Sequence, residues 1–167
     1  MNISKQKIDI IINDAYTASI SPRKSSFVKK AVIEEFLPRF GNDSRILYLA
    51  ETSNRPLYIA EAELKKFNFF ELSHDELPDI IAYSKKKKWL YLIEAVHSSG
   101  PMSETRVLEL KKMLKDCKAG IVFVTTFLTK ADFRKWMLDI AWETEVWTSD
   151  NPDHLVHFNG HKFFGPM

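Results

Sequence analysis

A single cysteine, Cys117, stands among 167 residues. No internal disulfide can form, and the chain reads as a protein of a reducing compartment, the cytoplasm. No apolar run approaches the ~20 residues needed to cross a bilayer, so no membrane partner is expected. The opening MNISKQKIDIIINDAYTA lacks the basic, then apolar, then small-residue order of a secretory leader. An excess of one charge is missing too: 24 Lys and Arg against 22 Asp and Glu leave +2, too little to argue for nucleic acid by itself. Any such argument must come from where the lysines cluster. Internal repeats and low-complexity tracts are also lacking. What is present is 45% hydrophobic and 28% charged residues, the balance of a soluble globular protein. The length suits one domain over 1–167, with 1–40 a mainly helical N-terminal part.

The stretch from Pro78 to Pro101, PDIIAYSKKKKWLYLIEAVHSSGP, organises the rest. Folded about Lys85 to Lys88, it becomes a β-hairpin in which Ile81 faces Leu92, Tyr83 faces Leu90 and Asp79 faces Glu94. Ile80, Ala82 and Ser84 with their partners Ile93, Tyr91 and Trp89 take the other side. Both faces are apolar, as in a central strand pair of an α/β sheet covered on both sides. Two carboxylates placed opposite each other, with Cβ atoms roughly 5 Å apart, repel. They call for a cation between them, and Mg²⁺, which takes one or two carboxylates plus substrate phosphates, suits that demand.

Around the hairpin, residues 5–17 can be drawn as a helix with Ile8, Ile11, Ile12 and Ala15 on one stripe. RKSSFVKKAVIEEFLPRF is a second helix, ended by Pro38 and carrying Arg23, Lys24, Lys29 and Lys30 on its outer face. RILYLAET is a buried strand, and AEAELKKF a helix. After Gly100-Pro101, Ser103 caps a helix whose stripe is Val107, Leu110, Leu114 and Cys117. GIVFVTTFL then completes a β-α-β crossover, which makes the sheet mixed. TKADFRKWMLDIA is another helix, followed by the short strands TEVWTS and HLVHFNG. The fold class is therefore α/β, a central mixed sheet flanked by helices.

Several side chains compete for chemical roles. Glu51, at a strand end, is a candidate third metal carboxylate. Arg106, in the first turn of the capped helix, can reach back to the hairpin mouth as the site's cation, the alternative being a solvated arginine or one paired with Glu109. The lysine tip cannot, because seven strand residues carry it more than about 20 Å away. His97 alternates to the face opposite Glu94. His154, His157 and His161 resemble a zinc cluster on paper, but residues three apart on a strand point to opposite faces and no cysteine pair accompanies them. Lys111 and Lys112 could meet backbone phosphate, and Asn54 and Arg55 could address base edges.

The acid-hairpin-acid pattern resembles the core of the PD-(D/E)xK nucleases, with Val96 where those enzymes usually carry lysine. More specifically, the chain resembles the BsuBI/PstI family of type II restriction endonucleases. The resemblance rests on LYLAET (47–52), PDIIAY (78–83), LIEAVHSSGP (92–101), the Arg106-x-x-Glu109-Leu110 helix, AGIVFVTTF (119–127) and IAWETEVWTSDNPDHLVHFNGHKFFGP (140–166). It implies Mg²⁺-dependent cleavage of double-stranded DNA with Asp79 and Glu94 as metal ligands, a homodimer acting on a palindrome, and a partner DNA methyltransferase that protects host sites. The competing reading is a catalytically silent DNA-binding or assembly module that keeps the nuclease fold.

Overall fold

Strands β5 (Ile80–Ser84) and β6 (Trp89–Ala95) form the expected antiparallel hairpin in the expected register. Ile80 pairs with Ile93, Ile81 with Leu92, Ala82 with Tyr91, Tyr83 with Leu90 and Ser84 with Trp89. The computed structural model describes residues 6–52, 55–67, 77–97, 100–158 and 160, so Asn54 and His161 lie outside it. Alternating β-branched and aromatic residues make both hairpin faces apolar, and both are covered. Among the described residues the hairpin is the centre of a seven-stranded sheet of order β4-β3-β5-β6-β7-β8-β9. Its remaining strands are β3 (Arg45–Thr52), β4 (Arg55–Ile59), β7 (Gly120–Phe127), β8 (Glu145–Thr148) and β9 (Val156–His157).

The sheet is mixed, as expected. The strands β3, β4, β5 and β6 pair antiparallel. Helix α4 (Glu104–Met113) then carries the chain over to β7, which lies parallel to β6, and β8 runs parallel to β7.

Two hydrophobic layers sandwich this sheet. On one face Ile80, Ala82, Tyr91 and Ile93 pack on Val28, Val32, Ile33 and Phe36 of the N-terminal helix. On the other, Ile81, Leu90, Leu92 and Phe123 pack on Val107 and Leu110 of α4, on Leu114 that follows it, and on Leu64 of α3 (Glu61–Lys65). Each fully buried aliphatic or aromatic side chain contributes about 1.5–3 kcal/mol over leaving it in water. The α4 stripe predicted from sequence is therefore the seam that fixes this helix against the acid-bearing strand.

The helix drawn over 5–17 is not formed. Ile8–Ile12 and Tyr16–Ile20 are strands β1 and β2 of a separate antiparallel hairpin. Ile10 and Ile12 are buried while Ile11 is 57% exposed, so the run follows a period of two. Asn13 and Asp14 hold φ of 54° and 58°, and Ala15 N–H donates to Ile12 O at 3.2 Å. Consecutive left-handed residues are what a hairpin turn of matching twist requires, and Asn and Asp tolerate them.

Nor does Pro38 end its helix. Helix α1 (Lys24–Ala31) continues through a π-type turn (Val32–Phe36) into α2 (Leu37–Phe40). Leu37 N–H reaches back five residues to Val32 O, and the wider turn accommodates the missing donor of Pro38 without breaking the rod. Lys29, expected on the outer face, is 3% exposed.

Candidate active site

The open end of the hairpin holds its acids through the sheet's own hydrogen bonding. Asp79 directly precedes β5. Its main-chain oxygen accepts from Ala50 N–H of β3 at 2.8 Å, and its Oδ2 accepts from Ala95 N–H of β6 at 2.8 Å. Continuing the pairing register places it opposite Glu94. Glu94 sits inside β6, 8% exposed, and its carbonyl accepts from Thr126 Oγ1 of β7 at 2.9 Å. Next to it, Thr125 Oγ1 accepts from Met102 N–H at 3.0 Å, which ties the segment leading into α4 to the same strand. These two buried threonines were not singled out in the sequence, where they read only as part of an apolar strand.

Arg106 arrives from the opposite side. Ser103 Oγ accepts from Arg106 N–H at 3.2 Å, an N-cap that starts α4 and sets Arg106 in its first turn. From there Arg106 Nε donates to Glu94 Oε1 at 3.1 Å, while its Nη1 lies 3.9 Å from Glu109 Oε2. Both readings offered for this arginine, reaching the hairpin mouth and pairing with Glu109, are thus present together. Asp79, Glu94, Ser103, Arg106 and Glu109 line one cleft of about 350 Å³.

Electrostatics at the cleft centre on Glu94. Burial pushes its carboxyl well above the usual range, the neighbouring Asp79 adds to that push, and Arg106 opposes it. The protonated form of Glu94 is thereby favoured, as expected when like charges share a site. Tyr48, buried in β3, is pushed up to about 12 by burial and then by Asp79. Two adjacent carboxylates with hard oxygen donors, one of them reluctant to ionise without a cation, fit Mg²⁺.

The other expected ligand stands differently. Glu51 Oε2 lies 3.3 Å from Arg55 Nε, and among the described residues no three His, Cys, Asp or Glu side chains converge on a metal-sized site. Glu51 does not complete a three-carboxylate set with Asp79 and Glu94. The strand end that carries it turns its carboxylate toward Arg55 of β4. Arg55 itself is 75% exposed at the side chain.

Lys111 and Lys112 are exposed on α4. Lys111 lies 5.9 Å from the centre of the Phe123 ring and borders a second groove of about 690 Å³ with Trp142 and Glu104. His97 and His154 are exposed, and His157 Nδ1 is 2.6 Å from Glu145 Oε1. Val96 is buried with Phe127, Ile140 and Val146.

Lys29 is the charged residue that sequence reasoning misplaced. Its Nζ donates to Glu51 O at 3.3 Å. Burial pushes its ammonium below the usual range; Asp79, then Glu51 and Glu94, oppose that push, while Arg23 reinforces it.

Comparison with known proteins bears on what this geometry serves. The profile of the BsuBI/PstI restriction endonuclease domain matches residues 8–161. The chain is 40% identical over 162 residues to the type II restriction enzyme BsuBI of Bacillus subtilis, covering 97% of this chain and 51% of that protein. It is 27% identical over 166 residues to the type II restriction enzyme AplI of Arthrospira platensis, covering 95% and 51%. The solved structure of SdaI restriction endonuclease superposes with a TM-score of 0.86 at 35% identity, over 96% of this chain and 50% of that one. The chain spans about half the length of the curated relatives it matches.

Proposed function

This chain belongs to the BsuBI/PstI restriction endonuclease family, and from that premise we propose that it cleaves double-stranded DNA by Mg²⁺-dependent hydrolysis at the Asp79–Glu94 cleft. The observation that carries the reading is the pair of carboxyls facing each other at the hairpin mouth, Asp79 held by Ala95 N–H at 2.8 Å and Glu94 braced by Arg106 at 3.1 Å. In water-exposed positions such a pair would be an ordinary repulsion. Here both members are held by neighbouring strands, and Glu94 is buried beside a cleft wide enough for a phosphate.

Asp79 and Glu94 would hold the ion. When bound, Mg²⁺ supplies Lewis acidity that eases deprotonation of a water and stabilises charge on the leaving oxygen. The chain's own contribution is positional. Asp79 cannot swing away, because its side chain and main chain bond to different neighbouring strands. Arg106 keeps one nitrogen on Glu94 and presents further N–H donors to a phosphate oxygen, which a guanidinium can do without losing its charge. Pro101, Leu77 and Ala50 narrow the cleft, which limits bulk water and strengthens those interactions.

Lys111, Lys112, Arg55 and Asn54 are the proposed DNA contacts. The two lysines would serve as phosphate partners, and Arg55 and Asn54 as readers of base edges. A palindromic target would be met by two copies of the chain, acting in the cytoplasm alongside a methyltransferase that protects host sites.

The competing reading, a silent module, draws on Val96, whose buried apolar setting offers no lysine on that strand. Plasmid incubated with the protein and Mg²⁺, beside Asp79→Ala and Glu94→Ala, decides between them. Cutting by the wild type alone supports the nuclease. Intact plasmid with all three proteins, while duplex binding persists, sinks it in favour of the silent module.

A further inference from the structure

An ammonium in a protein interior is costly unless charge or several hydrogen bonds compensate it. Lys29 is 3% exposed on a helix face otherwise occupied by Ser26, Val28, Val32, Ile33 and Phe36, where a methionine would fill the same space without cost. Its only short contact among the described residues is the neutral carbonyl of Glu51. No carboxylate of the described residues lies within 4.0 Å of its nitrogen as an ion pair. The Glu51 carbonyl lies one residue beyond Ala50, whose N–H bonds Asp79 O at 2.8 Å, so the ammonium sits at the strand end beside the acids, where Asp79, Glu51 and Glu94 favour its charge and Arg23 opposes it. Arg106 reaches Glu94 from α4, which packs on the other face of the sheet. The strand position from which a lysine would be expected, Val96, is sealed in an apolar cluster.

We propose that Lys29 is the fixed internal cation of the acid site, a positioning residue that acts through Asp79, Glu51 and Glu94. Delivered by α1 instead of β6, it balances the carboxylates when no metal is bound and adds positive potential where negative charge develops during phosphodiester hydrolysis. The inference rests on the metal-site reading of Asp79 and Glu94.

Its charge has two effects of opposite sign, and that separates it from a scaffold role. A positive charge beside carboxylates weakens their hold on a divalent ion, and it does so twice as strongly as it discourages a proton, because the ion carries two charges. The same charge favours a transition state that spreads negative charge over phosphate oxygens. Replacing Lys29 by methionine of similar length should therefore tighten ion binding and slow cutting, whereas mere damage to the fold would weaken both.

The test uses the full chain with Lys29→Met and Lys29→Arg. Mn²⁺ binding is measured by calorimetry without DNA, and single-turnover cleavage of a plasmid with Mg²⁺. Expected for Lys29→Met is Mn²⁺ binding at least roughly threefold tighter and cleavage slower by roughly tenfold or more, with KM within about threefold because the residue does not touch DNA. Lys29→Arg, which keeps the charge, should restore wild-type ion affinity even if its bulk lowers the melting temperature. Unchanged or weaker Mn²⁺ binding by Lys29→Met, or unchanged cleavage, overturns the assignment. Should Lys29→Met fail to fold, wild-type-like ion binding by Lys29→Gln, which keeps only a hydrogen-bond donor, overturns it instead. If wild type and Asp79→Ala bind Mn²⁺ alike, the metal-site reading itself has failed, a result distinct from either.

Discussion

Arg106 and Glu94 meet across the junction of helix α4 and strand β6, Nε to Oε1 at 3.1 Å, with side-chain exposures of 19% and 10%. Neither is solvated enough for the contact to be a surface ion pair of negligible worth. Removing the arginine leaves a Glu94 carboxyl whose burial already favours its neutral form. The fold should therefore survive, while the cleft loses its outer cation. Arg106→Ala is expected to slow plasmid cleavage at least roughly tenfold and to cost about 1–3 kcal/mol in urea unfolding. Unchanged turnover would remove Arg106 from the mechanism.

Glu94 gives the metal-free protein a pH dependence of unusual sign for an acid. Its folded pKa lies above the ordinary value of 4.5, so the folded state binds more protons than the unfolded chain between those two values. The contribution is fully present below about 4.5 and is lost as pH rises through the raised folded value. Melting temperatures in EDTA should fall with rising pH over that interval, and Glu94→Gln, which cannot ionise, should flatten the decline. An equal slope in the variant would show that another group carries it.

Asn13 ties the N-terminal hairpin to the sheet in the manner of a strand. Its Oδ1 accepts from Ile46 N–H at 2.8 Å and its Nδ2 donates to Ile46 O at 3.1 Å, so one side-chain amide occupies a backbone pairing position on β3. Asn13→Ala leaves both groups of Ile46 unpartnered and forces alanine into a φ of 54°. Together these should cost about 2–4 kcal/mol. Asn13→Gly removes the amide but accepts the dihedral, so it should recover about 1 kcal/mol of the loss. Chemical denaturation of the three proteins checks the order.

For Lys111 and Lys112 the expected signature lies in salt, not in stability. Each phosphate contact releases about one counterion, so replacing either lysine by alanine should lower the slope of log affinity against log salt by about 1. Unfolding free energy should stay within about 0.5 kcal/mol of wild type, since both are exposed. A slope identical to wild type for both variants would move the DNA surface off this part of α4.

The hairpin of β5 and β6 was legible to the residue, because Lys85 to Lys88 mark the turn and in a hairpin the turn sets which residues face each other. Arg106 was legible for a similar reason: Ser103 fixes the helix start, and the start fixes which residue looks back at the strand. Ile8–Ile12 was not, since Ile8, Ile11, Ile12 and Ala15 satisfy a helical stripe as readily as Ile8, Ile10 and Ile12 satisfy a strand. The deciding signal was Asn13-Asp14, two residues apt for left-handed backbone placed where a hairpin must turn. The pairing of Glu51 with Arg55 was not legible, because a strand end fixes position but not the direction of a long side chain. Lys29 was hidden by its own chemistry. A lysine on a helix is normally solvated, and only the approach of three acids distant in sequence makes its burial intelligible.

Asp79 is fastened to both of its neighbours, to β3 through its carbonyl and to β6 through its carboxylate. If β5 slid along either partner by a single residue, the sheet could re-form most of its ladder with equivalent bonds, but Asp79 would lose its two distinct anchors at once. With the proposed ion held there, its affinity would then register a misthreaded strand that circular dichroism would pass as native, a sensitive gauge of refolding fidelity for this chain.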